Sequence, residues 1–336
     1  MNPVCDINFD PDYLRAYEAH EDGTLETFRY RCALGEGFVH YIRRPLSCFE
    51  GFDGYSDIIT PYGYGGQMLE RCAPEREAEL ITLFNDAFEQ HCRQEHIVSY
   101  FARFHPFAEN GPAFQQFFDE VTPIRKVIAM DLSLDRITDN LTSKGRYHYR
   151  SALERGVTVR LETVETGLDE FIDLYYELMD SKHAEDYYFF PREYFEYLFE
   201  RFPDNVLLFS AQAEDQNIFF TLVLVYGDIA YSHLTCRKSG FNFYKANYAA
   251  NIAVAEAAKA RSCKYFMLGG GLSSDEKDPL YIFKKQFSNA EPMHFYVGKR
   301  IFDRTAYEAL CESFPLPDEL AGSGFFPRYR SLLRQR

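Results

Sequence analysis

The run from Asn205 to Cys236 constrains this chain most. It reads NVLLFSAQA, NIFFTLVLVY and DIAYSHLTC, three stretches rich in β-branched and aromatic residues parted by short polar turns, which is the pattern of an antiparallel meander. The alanine-rich FYKANYAANIAVAEAAKARS follows with helical spacing, then KYFMLGG as a strand. LDEFIDLYYELMDSK and PREYFEYLFERF precede the meander with apolar residues at i, i+3 and i+4, and a final strand and helix close the half. Helices, meander, long helix, strand, helix and strand make an α+β order with one core-spanning helix.

The first half opens with a short helix near Pro11 to Ala19 and a hairpin from TLETFRYRCAL and EGFVHYIRRPL. After the turn-rich ITPYGYGGQ, PEREAELITLFNDAFEQHC predicts an amphipathic helix behind its proline. HIVSYFARF reads as a strand, PAFQQFFDEV as a short helix and PIRKVIAMDLS as a strand. From Leu134 a helix is expected through DRITDNLTSKGRYHYRSALERG, bridging the halves and ending at Gly156. A chain of 336 residues exceeds what one core of ordinary size holds, so two domains are expected, over residues 1–140 and 141–336.

Composition narrows the function. Apolar residues are 46% and charged residues 26% of the chain, enough for packed cores without disorder. With 32 Phe, 25 Tyr and no Trp, clefts lined by tyrosine are expected. The eight cysteines form no CxxC pair and have no histidine at ligand spacing, so reduced, mostly buried thiols and no metal are expected. The opening residues lack a basic start followed by an apolar run, and no apolar stretch reaches the ~18 residues of a bilayer span; a cytoplasmic, soluble protein is expected. The net charge of −15 argues against a DNA partner and leaves room only for a local RNA contact. No GxSxG, HExxH or GKS/GKT pattern occurs, which disfavours hydrolase, metallopeptidase and nucleotide-hydrolysing readings.

Several segments can carry chemistry. Gly269, Gly270 and Gly271 end a short strand, where they either make a plain turn or let backbone and ligand approach closely. In YIFKKQFS, Lys284 is flanked by Phe283 and Phe287 and is either a surface lysine or a cation held ready for a phosphate. SKGRYHYRSALERG sets Arg146 and Arg150 one helical turn apart, a ridge that binds an anionic ligand or pairs with the protein's own acids. Tyr62 and Tyr64 sit in a glycine-rich turn that is either a hairpin loop or a cleft wall. Arg103 and His105, two apart after a strand, are expected to face a carboxylate or phosphate together. Tyr231 and His233 share a strand face as core residues or as proton acceptors, and Asn247 opens the long helix.

Together TPYGYGGQ, IVSYFARFHPF, SKGRYHYRSALERGV, YFMLGGG and DPLYIFKKQFS, in that order over roughly residues 25 to 310, resemble the FemABX peptidoglycan-bridge aminoacyltransferases and the wider acetyltransferase-fold proteins. The N-terminal entry is a departure, and the paired-helix arm of some members is missing. The resemblance implies two tandem acetyltransferase-like (GNAT) domains with mixed, mostly antiparallel sheets. It implies transfer of an acyl or aminoacyl group from acyl-CoA or aminoacyl-tRNA to an amine of a cell-envelope sugar or peptide precursor, without a tightly bound cofactor. The acceptor would be a small molecule or nucleotide-linked, and the acceptor end of a tRNA is a candidate partner. By position, Lys284 lies by the donor's phosphates, with Gly269, Gly270, Gly271, Phe283 and Asn247 around the donor. Tyr62, Tyr64, Arg103 and His105 become acceptor contacts, joined by Arg146 and Arg150, and Tyr231 and His233 face the reaction centre. A catalytically inactive binding module on the same fold is the rival reading.

Overall fold

Most alternating and continuous apolar runs become strands, and most runs spaced at three and four become helices. The structure, a computed structural model, describes residues 5–315 and 324–335. In chain order the elements are α1 (Pro11–Arg15), β1 (Thr24–Cys32), β2 (Gly35–Pro45), β3 (Ser56–Ile59), β4 (Met68–Glu70), α2 (Glu77–Gln94), β5 (Ile97–Arg103), α3 (Asn110–Ala113), β6 (Glu120–Asp131) and α4 (Ser143–Glu154). They continue with β7 (Thr158–Glu162), α5 (Val164–Ser181), α6 (Arg192–Arg201), β8 (Val206–Ala213), β9 (Gln216–Tyr226), β10 (Ile229–Arg237), α7 (Ala246–Ala260), β11 (Tyr265–Gly270), α8 (Pro279–Lys285), β12 (Met293–Ile301) and α9 (Arg304–Ser313).

Cα packing divides the chain into two units. One holds Asn8–Ile124 and the described residues from Phe295 onward; the other holds Cys5–Ile7 and Arg125–His294. The units therefore change over at Ile124/Arg125, whereas the sequence boundary was set at 140/141, and the first unit is completed by a return of the chain that local patterns do not announce.

In the first unit the strand order is β1-β2-β3-β5-β12, with β4 also on β2. Every pair is antiparallel except β3 with β5. Residues Glu36 to Ile42 of β2 are all buried, so both faces of that strand are covered. One cover is α2, whose Phe84 and Phe88 pack with Val39, Tyr41 and Tyr100. On the opposite face Phe38 packs with Met68, Ala108 and Phe9, and elsewhere in the unit Ala306, Tyr307 and Leu310 of α9 pack with Leu46, Val98 and Tyr329.

In the second unit the order is β6-β11-β10-β9-β8-β7, again antiparallel except for one pair, β10 with β11. Phe171 of α5 meets Phe220 of β9 edge-on at 6.2 Å, while Ile252, Ala255 and Ala258 of α7 pack with Val223, Val225, Ala230 and Phe266. The alanines bring α7 close to the sheet at little entropic cost. Both units are thus mixed, mostly antiparallel sheets carrying helices, as the α+β reading expected.

The continuous helix expected from Leu134 is replaced by a 3-10 turn over Ile137–Asn140 and then α4. Asn140 bonds Asp131 through both ends of its amide, pinning the chain, and the Thr142 hydroxyl caps α4 by accepting from Gly145 N–H; capping residues outcompete a continuous helix here. PAFQQFFDEV likewise shrinks to α3 and a 3-10 turn before β6 begins at Glu120. All eight cysteines are free, but only Cys92, Cys236 and Cys263 are buried, which corrects the expectation of mostly buried thiols.

Candidate functional site

The parallel pair β10 and β11 is the short one in its sheet. It is in register only over Ile229–Tyr231 against Tyr265–Met267; beyond these, β10 continues against β9 alone and β11 against β6 alone. Both strands carry a bulge at the parting, between Ser232 and Leu234 on β10 and between Met267 and Gly269 on β11. Bulges bend a strand and add twist, and two facing bulges open a V between partners. The β10 edge beyond Tyr231 thereby has no β11 partner strand.

On the β10 arm, His233 is the inserted residue. Its Nε2 lies 2.6 Å from the Tyr194 hydroxyl on α6, and Phe190 stacks on Tyr194 at 4.5 Å. Burial pushes the His233 pKa down to about 4, so the ring is neutral at pH 7. Tyr231 is buried and its hydroxyl donates to Asp6 at 2.5 Å. Tyr194 and Asp6 escaped the sequence reading: Tyr194 is one aromatic among several on an apolar helix face, and Asp6 meets Tyr231 from 225 residues away.

On the β11 arm, Gly269 adopts φ +77, a conformation glycine reaches without strain. Gly270 and Gly271 leave room that the chain itself fills. A Cβ on Gly270 would lie 2.7 Å from Lys126 C=O and 3.0 Å from Arg125 Cδ, and one on Gly271 would lie 2.8 Å from the Asp278 carboxyl. The Lys284 ammonium donates to Gly270 C=O at 2.8 Å. Burial, with Arg125 adding repulsion, pushes its pKa down to about 8; Lys285 is exposed. Phe283 and Phe287 hold α8, each against the Tyr248 ring at 5.4 and 5.2 Å, and the Tyr248 hydroxyl donates to Gln286. Asn247, in the first turn of α7, accepts from the Asn251 amide through its carbonyl.

The basic helix splits its ridges. His148 turns inward onto Tyr248 at 4.9 Å, while Arg146 and Arg150 are exposed and Arg146 reaches back to Leu141 C=O. In the first unit, Tyr62 stacks on Tyr17 at 5.6 Å, and Tyr64 meets His105 at 5.8 Å and Phe295 at 5.1 Å. Arg103 donates to Thr60 C=O and to Glu21. His105 is 1% exposed, and its Nδ1 accepts from Ala108 N–H. Asn110, absent from the sequence reading, joins this loop by donating to Gly65 and Gln67 carbonyls and accepting from His105 N–H. Among the described residues no group of three or more His, Cys, Asp and Glu could hold a metal ion, and no helix is long and apolar enough to cross a membrane.

The mixed sheet of the second unit is of the acetyltransferase type: residues 142–278, inside that unit, match the family model described as an acetyltransferase (GNAT) domain. The whole chain is similar to a crystal structure of FemX, at 12% identity and a TM-score of 0.68, with 90% of this chain and 94% of that one covered. It is similar also to the C-terminal domain of a putative lysylphosphatidylglycerol synthetase from Agrobacterium fabrum, at 12% identity and TM-score 0.54 over 90% and 95% of the two chains. A third is L-PGS from Bacillus licheniformis, at 12% identity and TM-score 0.51 over 93% and 98%. At these identities the likeness is one of fold. No curated protein sequence matches the chain.

Proposed function

We propose that the chain is an N-acyltransferase that moves an acyl group from a phosphate-bearing carrier onto the amine of a cell-envelope sugar or peptide precursor. The observation that carries this reading is the parting of β10 and β11 beyond Tyr231 and Met267, with a neutral imidazole on one arm and a desolvated lysine on the other. Coenzyme A is favoured over aminoacyl-tRNA as the carrier, because a net charge of −15 opposes a long polyanion.

In this reading the amine attacks the carrier's carbonyl carbon directly. The C–N bond forms, and the carrier's C–S bond then breaks as the tetrahedral intermediate collapses. Peptide N–H groups on the unladdered β10 edge face the developing oxyanion. The amine's proton enters at the Tyr194 oxygen as the Tyr194 proton moves to His233 Nε2, and His233 then returns a proton through Tyr194 to the leaving thiolate, so both residues end as they began. Lys284 holds the carrier phosphates on the β11 arm, with Phe283 and Asn247 beside it. Tyr62, Tyr64, Arg103 and His105 in the first unit are proposed as acceptor contacts, and Arg146 and Arg150 in the second unit are proposed separately as substrate contacts.

The test is thiol release from acetyl-coenzyme A in the presence of a panel of amino sugars and nucleotide-linked peptide precursors, beside a thermal shift with coenzyme A alone. The expected result is amine-dependent release and a shift approaching the about 2.7 kcal/mol produced at a hundredfold excess over Kd. Binding without release by any amine or carrier would replace transfer with a binding module.

A further inference from the structure

Two cations meet at the glycine loop without a carboxylate to pair with. Asp278, the nearest acid, is committed to four backbone N–H groups, those of Leu272, Ser273, Leu280 and Tyr281. The neighbouring Lys126 already pairs with Glu276. Lys284 is left with Gly270 C=O at 2.8 Å, and Arg125 Nη1 with Gly271 C=O at 3.1 Å. Nη1, the nitrogen that Arg125 gives to the loop, is the terminal guanidinium nitrogen on the same side as Cδ. Its opposite edge, Nε with Nη2, is the fork that grips an oxyanion side-on. Nε is buried there and has no acceptor. A buried N–H without an acceptor is costly, and so is a desolvated ammonium; one oxyanion relieves both.

We propose that Arg125 and Lys284 form a clamp for one phosphoryl group, with Arg125 supplying the fork and Lys284 the point charge, a proposal that rests on the acyl-carrier reading above for the identity of the molecule bearing that phosphate. A side chain at Gly270 would meet the Lys126 carbonyl and then the Arg125 side chain, and one at Gly271 would meet the Asp278 carboxyl, so the Arg125 side chain lies directly against the glycine loop. Phosphate esters of coenzyme A and of an RNA 3′ end present the same chemistry to this clamp.

Calorimetric titration of inorganic pyrophosphate, coenzyme A and a 5′-phosphorylated CCA trinucleotide into the full chain tests it. Arg125→Gln and Lys284→Gln should each weaken pyrophosphate binding roughly tenfold or more, the scale of one charge-assisted bond. Their double variant should lose less than the product of the two, because both grip one anion. Arg125→Lys, which keeps charge and bulk but not the fork, should fall between wild type and Arg125→Gln; it is also the fallback if Arg125→Gln does not fold. Whichever of coenzyme A and the trinucleotide loses affinity in parallel with pyrophosphate is the carrier. Unchanged pyrophosphate affinity in folded Arg125→Gln or Arg125→Lys overturns the clamp even if thiol release persists. Loss of pyrophosphate binding in the variants of a protein that turns over no acyl carrier upholds the clamp and overturns the transfer reading alone.

Discussion

Replacing Lys284 by methionine should change stability and binding in opposite directions. The Lys284 pKa is pushed from 10.5 down to about 8, so between those values the unfolded chain holds a proton that the folded chain has released. Stability then rises with pH across that window, and below pH 8 the charged lysine costs up to about 3 kcal/mol. Lys284 is half-buried, and solvent screening reduces this to about 2 kcal/mol. Lys284→Met removes the penalty and also the bond to Gly270, worth about 1 kcal/mol. The variant should therefore be more stable than wild type by about 1 kcal/mol near pH 7 and less stable by about 1 kcal/mol above pH 10.5. Urea denaturation at a series of pH values measures the crossing, and coenzyme A titration should show affinity reduced by about 1.5–3 kcal/mol. Parallel stability curves for the two proteins from pH 7 to 10.5 would refute the reasoning, because they would mean that Lys284 titrates alike in both states.

Two further outcomes are expected. His233→Ala and Tyr194→Phe should each lower kcat by roughly 10²-fold or more with little change in KM for the carrier, the scale of a lost proton relay; steady-state kinetics in which only KM moves would make the pair an acceptor contact. Asp57 is fully buried between Arg44 and Arg330 and accepts from Tyr329, so Asp57→Asn should destabilise the first unit by about 3–5 kcal/mol by stranding two guanidinium groups. A loss under about 1 kcal/mol in denaturant titration would contradict this.

What the chain's letters disclosed follows the range of the interactions. The meander, α7 and the strand before the glycines were legible because periodicity is local. The bridge helix was overextended because Asn140 and Thr142 act through single hydrogen bonds that no hydrophobic pattern records. Lys284, Phe283 and the glycines were legible as a motif, but the occupants of the glycine loop were not: Arg125 comes from β6, 146 residues from the carbonyl it binds. His233 was singled out by strand position, whereas its partner Tyr194 and the bulge it occupies depend on tertiary register. The spacing of Arg103 and His105 was legible, but not the partners the fold gives them, Glu21 and Thr60 for Arg103 and Phe9, Tyr64 and Phe107 around His105, which come from separate parts of the chain.

The return of the chain at Phe295 has a consequence for how the protein is made. β5 emerges with its pairing edge vacant, and the strand that pairs with it, β12, follows only after the about 170 residues of the other unit. At ~5–20 residues per second of synthesis, that interval is roughly 10–30 s. Throughout it the nascent chain carries an apolar strand, IVSYFAR, with an open edge able to pair with a neighbour on the same message. The second unit can finish folding first, so the part of the protein begun earliest is completed last, and its yield in the cell should depend on translation speed and on holding chaperones more than its final stability would suggest.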